Sequence, residues 1–252
     1  LSLDHLAYDN ALNHISIGEK LLLGGGSLIL ALVLPTPAVL IAILVVMHAV
    51  LLIARIPPGY ILRLWIAPAT FLAVGLAGVA VSVAAAPFPA VAAVSVGPVH
   101  IGVTPAGLAA AAGLLLRSLA AVSCLLMLAA TTPAAHLAAW LAPVPGLRPV
   151  SEIALLTYRF IFVFLAAAAQ IHTAQQSRLG YAGPRRSLRS LALLAANVGR
   201  KTLLTARGLG IALAARNYQG RLTHSCPPQT VSPARLCSIC ALLAGLTAVG
   251  LM

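Results

Sequence analysis

The sequence predicts an all-α integral membrane protein, with about five transmembrane helices plus long helices lying on the cytoplasmic side. Three observations carry that prediction. Hydrophobic residues make up 61% of the chain and charged residues only 8%, against about 25% charged in an ordinary soluble domain. Apolar runs long enough to approach or reach the ~20 residues of a membrane span recur along the chain. Charge is also segregated: ten of the sixteen Lys and Arg lie after residue 172, while all four carboxylates (Asp4, Asp9, Glu19, Glu152) precede it.

The elements follow in order. Residues 1–20 carry Asp4, Asp9, Asn10, Asn13 and Glu19, which break the apolar core a secretory signal needs. The stretch reads as an amphipathic lead-in ending at Gly18-Glu19-Lys20. Residues 21–34 form a short first span, Pro35-Thr36-Pro37 a tight turn, and 38–54 a return span. The stretch from Arg55 to Arg63 reads as a basic cytoplasmic loop, and 64–86 as a third span. Residues 87–105, rich in Pro, Gly and Val and without formal charge, suit an outside loop. A fourth span follows at 106–130. The GGG and GLAG stretches supply small residues that let membrane helices approach closely.

The next segments break the alternation. Residues 134–141 are a short amphipathic piece, followed by Pro143, Pro145, Gly146 and Pro149. Residues 150–176 and 187–217 are both long enough to span. If both crossed, Arg178, Arg185 and Arg186 would land outside, against the positive-inside bias. They are therefore read as long, part-buried helices at the cytoplasmic side, with 237–252 as the fifth span. The expected division is 1–133 as a membrane domain of four spans, 134–221 as a cytoplasmic helical region leaning on the inner leaflet, and 222–252 as linker and final span.

The net charge of +12 belongs to this membrane pattern and not to nucleic-acid binding; the basic region is expected to face the cytoplasm, within reach of anionic lipid head groups. At 100° per residue, Arg189, Arg200 and Arg207 fall within about 20° of one another and form one basic stripe, while Arg216 lies about 160° from Arg200. Arg117 sits inside the fourth span, where a charge is a functional candidate by default, and a structural partner such as a backbone carbonyl is the favoured reading. Glu152 and Arg159 share a face about 10 Å apart along the axis and read as orienting residues.

Several chemistries are disfavoured. The chain lacks the glycine-rich phosphate loop; Gly199-Arg200-Lys201-Thr202 echoes it without the upstream Gly or the Gly-Lys pairing. Four scattered carboxylates make general acid–base catalysis an unlikely design. Cys237 and Cys240, with Cys226 and His224 upstream, faintly resemble a metal site, yet the pair opens an apolar run and Pro227-Pro228 intervene. No metal site is expected, and Cys124 reads as a small core residue.

The chain resembles the transmembrane T component of energy-coupling factor (ECF) transporters of the cobalt type, the CbiQ family. The resemblance rests on the lead-in Asp4, Ala7, Tyr8 and Asn10 with Gly18-Glu19-Lys20, and on the run from Gly97 to Leu108. It continues through the stretch from Tyr158 to Val163, the stretch from Ala174 to Tyr181, and residues 212–220. Such proteins carry two short Ala-Arg-Gly motifs at the ends of their cytoplasmic coupling helices. By order these fall on Ser177-Arg178-Leu179, followed by Gly180, and on Ala215-Arg216-Asn217. Both depart from the strict triplet and both keep the arginine. The literal Ala206-Arg207-Gly208 lies on the basic stripe and reads as helix surface. Arg117, Glu152 and Arg159 are added as scaffold residues.

The resemblance implies a non-enzymatic scaffold in the bacterial inner membrane. Its implied partners are a CbiO-type ABC ATPase homodimer, which hydrolyses ATP with Mg2+, a CbiM-type substrate-binding membrane subunit, and a small CbiN-type accessory subunit. Co2+ would be the cargo, with no cofactor on this chain. The same role for nickel or a vitamin, and an intramembrane enzyme or stand-alone permease, stand as alternatives.

Overall fold

A computed structural model describes residues 7, 8, 10–84, 92–96, 99–218 and 230–251. The protein is an all-α membrane protein, with eight helices among these residues: α1 (Ile17–Val33), α2 (Pro37–Ile53), α3 (Pro58–Ala80), α4 (Pro105–Thr131), α5 (Ala134–Leu141), α6 (Arg148–Gln176), α7 (Pro184–Ala215) and α8 (Pro233–Leu251). Proline sets most of the starts. Six of the eight carry it in their first two positions, where its missing N–H would have had no intrahelical partner and its fixed φ already suits a helix.

The chain divides into two compact units, Leu1–Pro133 with Pro227–Met252, and Ala134–Cys226. In the first, α2 buries Val39, Leu40, Ile43, Met47 and Leu51 along one stripe. These pack with Ala120, Cys124, Met127 and Ala130 of α4 and with Ala31 of α1. Register is readable from the tight glycine contacts. A Cβ on Gly24 would stand 2.6 Å from Leu128 Cγ, and Pro35 shares a cavity wall with Arg117, so α1 and α4 run antiparallel. Gly26 faces Leu243 and Gly250 faces Leu34, so α8 runs parallel to α1. At the start of that pair the Glu19 carboxylate, 2% exposed, accepts from Arg235 Nε at 3.0 Å and from the Ser232 N–H at 2.8 Å.

This explains the lead-in. Asn10 Nδ2 and Lys20 Nζ both donate to the Thr131 carbonyl, at 3.3 and 2.8 Å, satisfying an orphan carbonyl at the C-terminus of α4 with an amide and a cation. Asp4 and Asp9 lie outside the described residues.

Two boundaries correct the sequence reading. The third span starts at Pro58 and not after Arg63, because Pro58 is a ready first helical residue; only the connection from Ala54 to Pro57 is left, and Arg63 lies inside α3. The same helix ends at Ala80, and the chain continues as β1 (Val81–Ala84), joined by β2 (Ala92–Val96) and β3 (Val99–Val103) in a small antiparallel sheet of order β1-β3-β2. Val81 pairs with Val103 and Ala84 with His100; Ala92 also pairs with Val103. What reads as an outside loop is thus partly stranded, since its valines favour extended backbone; residues 85–91, 97 and 98 lie outside the described residues. Just after the sheet, Thr104 caps α4, accepting from the Gly107 N–H at 3.0 Å. A Cβ on Gly107 would stand 3.1 Å from the Ala80 carbonyl, so the Thr-x-x-Gly spacing joins a cap to a close helix approach.

In the second unit, α5 packs on α6, and Ser151 Oγ donates to the Ala138 carbonyl at 2.7 Å. Helices α6 and α7 form a hairpin. Four helices, α3, α4, α6 and α8, are long and apolar enough to cross a membrane by length and composition. The 17 residues of α1 and of α2 give about 26 Å each, slightly less than the ~30 Å hydrocarbon core.

Candidate functional site

The two arginines singled out from the sequence occupy equivalent backbone positions. At the end of α6, the Gly180 N–H reaches back to the Gln175 carbonyl at 2.9 Å, and the Leu179 N–H to that of Gln176 at 3.0 Å. At the end of α7, the Tyr218 N–H bonds the Leu213 carbonyl at 3.0 Å, and the Asn217 N–H that of Ala214 at 3.1 Å. Both are Schellman ends, with crossed bonds from two residues past the helix to its last turn. Arg178 and Arg216 are the capping residues in each. The residue after each arginine is left-handed: Leu179 has φ 55° and Asn217 φ 54°.

That position is where a helix end favours glycine, which gives the third place of the Ala-Arg-Gly motif a backbone meaning. Here Leu and Asn adopt the same conformation. Both guanidiniums are exposed and sit at the negative end of a helix dipole, which a cation complements. The literal Ala206-Arg207-Gly208 lies inside α7, and Arg189, Arg200 and Arg207 are all exposed there.

The α6–α7 elbow is held by a polar network. Tyr181 Oη donates to Gln175 Oε1 at 2.8 Å, and His172 Nδ1 lies 2.9 Å from the same hydroxyl. Gln175 Nε2 donates to the Ser190 carbonyl at 3.0 Å, and Ser190 Oγ to the Gly180 carbonyl at 2.8 Å. Gly180 is required by space: a Cβ would stand 2.7 Å from Ser190 Oγ and 2.8 Å from the Gln175 carbonyl. At the other end of α7, Tyr218 Oη donates to Glu152 Oε2 at 2.8 Å. That bond and the carboxylate charge hold the Tyr218 phenol above its usual range. Arg148 Nε lies 3.5 Å from Glu152, one helical turn away.

Of the three scaffold candidates Glu152 joins this arrangement through Tyr218, and no described bond brings in Arg117 or Arg159. Arg159 is exposed on α6, and Glu152 turns to Tyr218 and Arg148. Arg117 belongs to the first unit, where it is half-buried and lines a cavity of about 220 Å3 with Pro35, Ala110, Gly113 and Leu114. Among the described residues no three His, Cys, Asp or Glu side chains come together as a metal-binding group. Cys237 and Cys240 are exposed and Cys124 is buried, while His224 and Cys226 lie outside the described residues. Sequence reasoning gave no role to His172, Ser190 or Tyr218; a tyrosine two or three residues beyond each arginine was the available signal.

The model of the family described as cobalt transport protein (CbiQ) matches residues 9–225. A cobalt transport protein CbiQ of Rhodobacter capsulatus is 38% identical over 256 residues, covering 100% of this chain and 98% of its own. Its counterpart in Salmonella typhimurium is 34% identical over 218 residues, covering 86% of this chain and 97% of its own. A protein of Methanocorpusculum labreanum, named as a fused cobalt transport protein CbiMQ, is 30% identical over 219 residues, covering 86% of this chain and 36% of its own.

Proposed function

Since this chain belongs to the CbiQ family of cobalt transport proteins and is a multi-pass membrane protein, we propose that it is the coupling subunit of an ECF-type importer. In this reading it passes the motion of an ABC ATPase homodimer to a separate metal-binding membrane subunit that carries Co2+. The chain itself is not an enzyme and holds no cofactor; ATP and Mg2+ belong to the CbiO-type ATPase. A CbiM-type subunit as the metal-binding partner is supported by the fused relative, whose name joins both parts. A small CbiN-type subunit completes the assembly. The membrane is the bacterial inner membrane, with α6 and α7 presented to the cytoplasm.

The observation that carries this reading is the pair of equivalent helix ends. A coupling joint has to bear load with defined geometry. An arginine fork binds a carboxylate or a set of carbonyls through two parallel bonds and stays charged at any working pH. Two exposed arginines with the same capping backbone, 38 residues apart at opposite ends of α7, suit two equivalent grooves of a dimeric ATPase. The 32 residues of α7 separate those ends by about 48 Å.

The test is Arg178→Ala combined with Arg216→Ala. The protein should still insert and bind its membrane partner, while ATP-driven Co2+ uptake falls to background. Unchanged uptake in the double variant would overturn the assignment.

A further inference from the structure

We propose that Tyr181 and Tyr218 are positioning residues, two clasps that close α6 and α7 into one lever so that both arginine ends move together. The inference rests on the coupling reading and adds to it the means by which the two ends are held.

Burial within this chain does little to hold α7. Only Ser190 is buried along this 32-residue helix, and Leu188, Leu203 and Ile211 are 71%, 64% and 73% exposed. A helix without packing frays from its ends, and Arg216 stands at such an end. Two hydrogen-bonded points tie α7 and its flanks to α6. At the elbow, the Tyr181 hydroxyl bridges Gln175 and His172 while Ser190 bonds the Gly180 carbonyl. At the far end, Tyr218, two residues past Arg216, donates to Glu152.

The second clasp uses a scarce resource. Glu152 is the one carboxylate in residues 134–226, which hold many arginines. Its side chain is 12% exposed, and its bonded partners include the Tyr218 hydroxyl as well as Arg148. A hydrogen bond to a charged group is among the stronger ones and loses more when one member is removed than a neutral bond does. The two clasps are alike: in each, a tyrosine just past a coupling arginine donates its hydroxyl to an α6 side chain, Gln175 at the C-terminal end of α6 and Glu152 at its N-terminal end. A stroke applied to Arg178 is then delivered to Arg216 without being lost in bending.

The experiment uses the assembled transporter in proteoliposomes and reads Co2+ moved per ATP hydrolysed. Tyr218→Phe, Tyr181→Phe and the double variant should assemble normally and hydrolyse ATP, with the transport ratio lowered at least threefold in each single variant and further in the double. Glu152→Gln keeps an acceptor for Tyr218 and should retain most of the ratio, whereas Glu152→Ala should match Tyr218→Phe. Spin labels at Ser177→Cys and Ala215→Cys, with the native cysteines replaced, should give one narrow distance that broadens in the tyrosine variants. An unchanged ratio in Tyr218→Phe, or Glu152→Gln behaving like Glu152→Ala, would overturn the clasp. If the double arginine variant abolishes uptake while the tyrosine variants leave the ratio intact, coupling stands and the clasp falls. If the arginine variant has no effect, the coupling reading itself fails.

Discussion

Leu179 is held in a conformation that its side chain resists. A left-handed φ of 55° brings Cβ close to the following carbonyl and costs an ordinary residue about 1–2 kcal/mol, while glycine escapes that clash. Asn217 takes the same conformation at lower cost, since a short amide tolerates it. Leu179→Gly is therefore expected to stabilise the end of α6 by about 1 kcal/mol, raising the melting temperature in detergent by a few degrees. Asn217→Gly should gain only a few tenths of a kcal/mol. Because the side chain of Leu179 is 69% exposed, no buried contact is lost in the exchange. A lower melting temperature for Leu179→Gly would contradict the Schellman geometry. The arginines were legible in the sequence; the reason a third motif residue can depart from glycine was not, because it is a property of backbone dihedrals and not of residue type.

At the scale of elements, helix class and membrane character followed from composition and apolar run length, and the family from the quoted motifs. The sheet did not follow: β1 looks the same as a continuation of the membrane helix before it, and the Pro and Gly around β2 and β3 made those short Val-rich segments read as loop. The start of α3 was misplaced for a related reason: Arg63 looked like loop charge, yet Pro58 had already begun the helix. The triplet Gly24-Gly25-Gly26 was read as a close-approach surface, and the structure divides its labour. A Cβ on Gly24 would stand 2.6 Å from Leu128 Cγ and one on Gly26 2.8 Å from Leu243 Cδ1, while nothing lies within 4 Å of Gly25. Gly24→Ala should thus cost about 1–3 kcal/mol by overpacking. Gly25→Ala should be neutral or gain about 0.5–1 kcal/mol from helix propensity. Thermal melts of the two variants in one detergent check the contrast; equal losses would mean that all three glycines face a neighbour.

At the scale of the molecule, length and charge together set which helices are expected to cross. Helix α6 has 29 residues, with a mean hydropathy of 1.8 in its span-like window, and reaches about 44 Å, so length does not keep it out of the bilayer. Charge does. The turn between α6 and α7 and the first two turns of α7 hold Arg178, Arg185, Arg186 and Arg189. Placing four arginines outside opposes the bias that orients short loops, which counts Lys and Arg near span ends. The first unit obeys the same bias: Arg55 lies between α2 and α3, while the described residues between α3 and α4 carry no Lys or Arg. The expected topology therefore places Arg55 and the α6–α7 turn on one side, and His100 on the other. In a background with the four cysteines replaced by serine, a membrane-impermeant maleimide should label Arg55→Cys and Ser177→Cys only in inverted vesicles, and His100→Cys only in intact cells. Labelling of Ser177→Cys from outside would mean that α6 crosses. Arg178 would then face away from any cytoplasmic ATPase, and the coupling role of that end would be lost along with the lever that holds it.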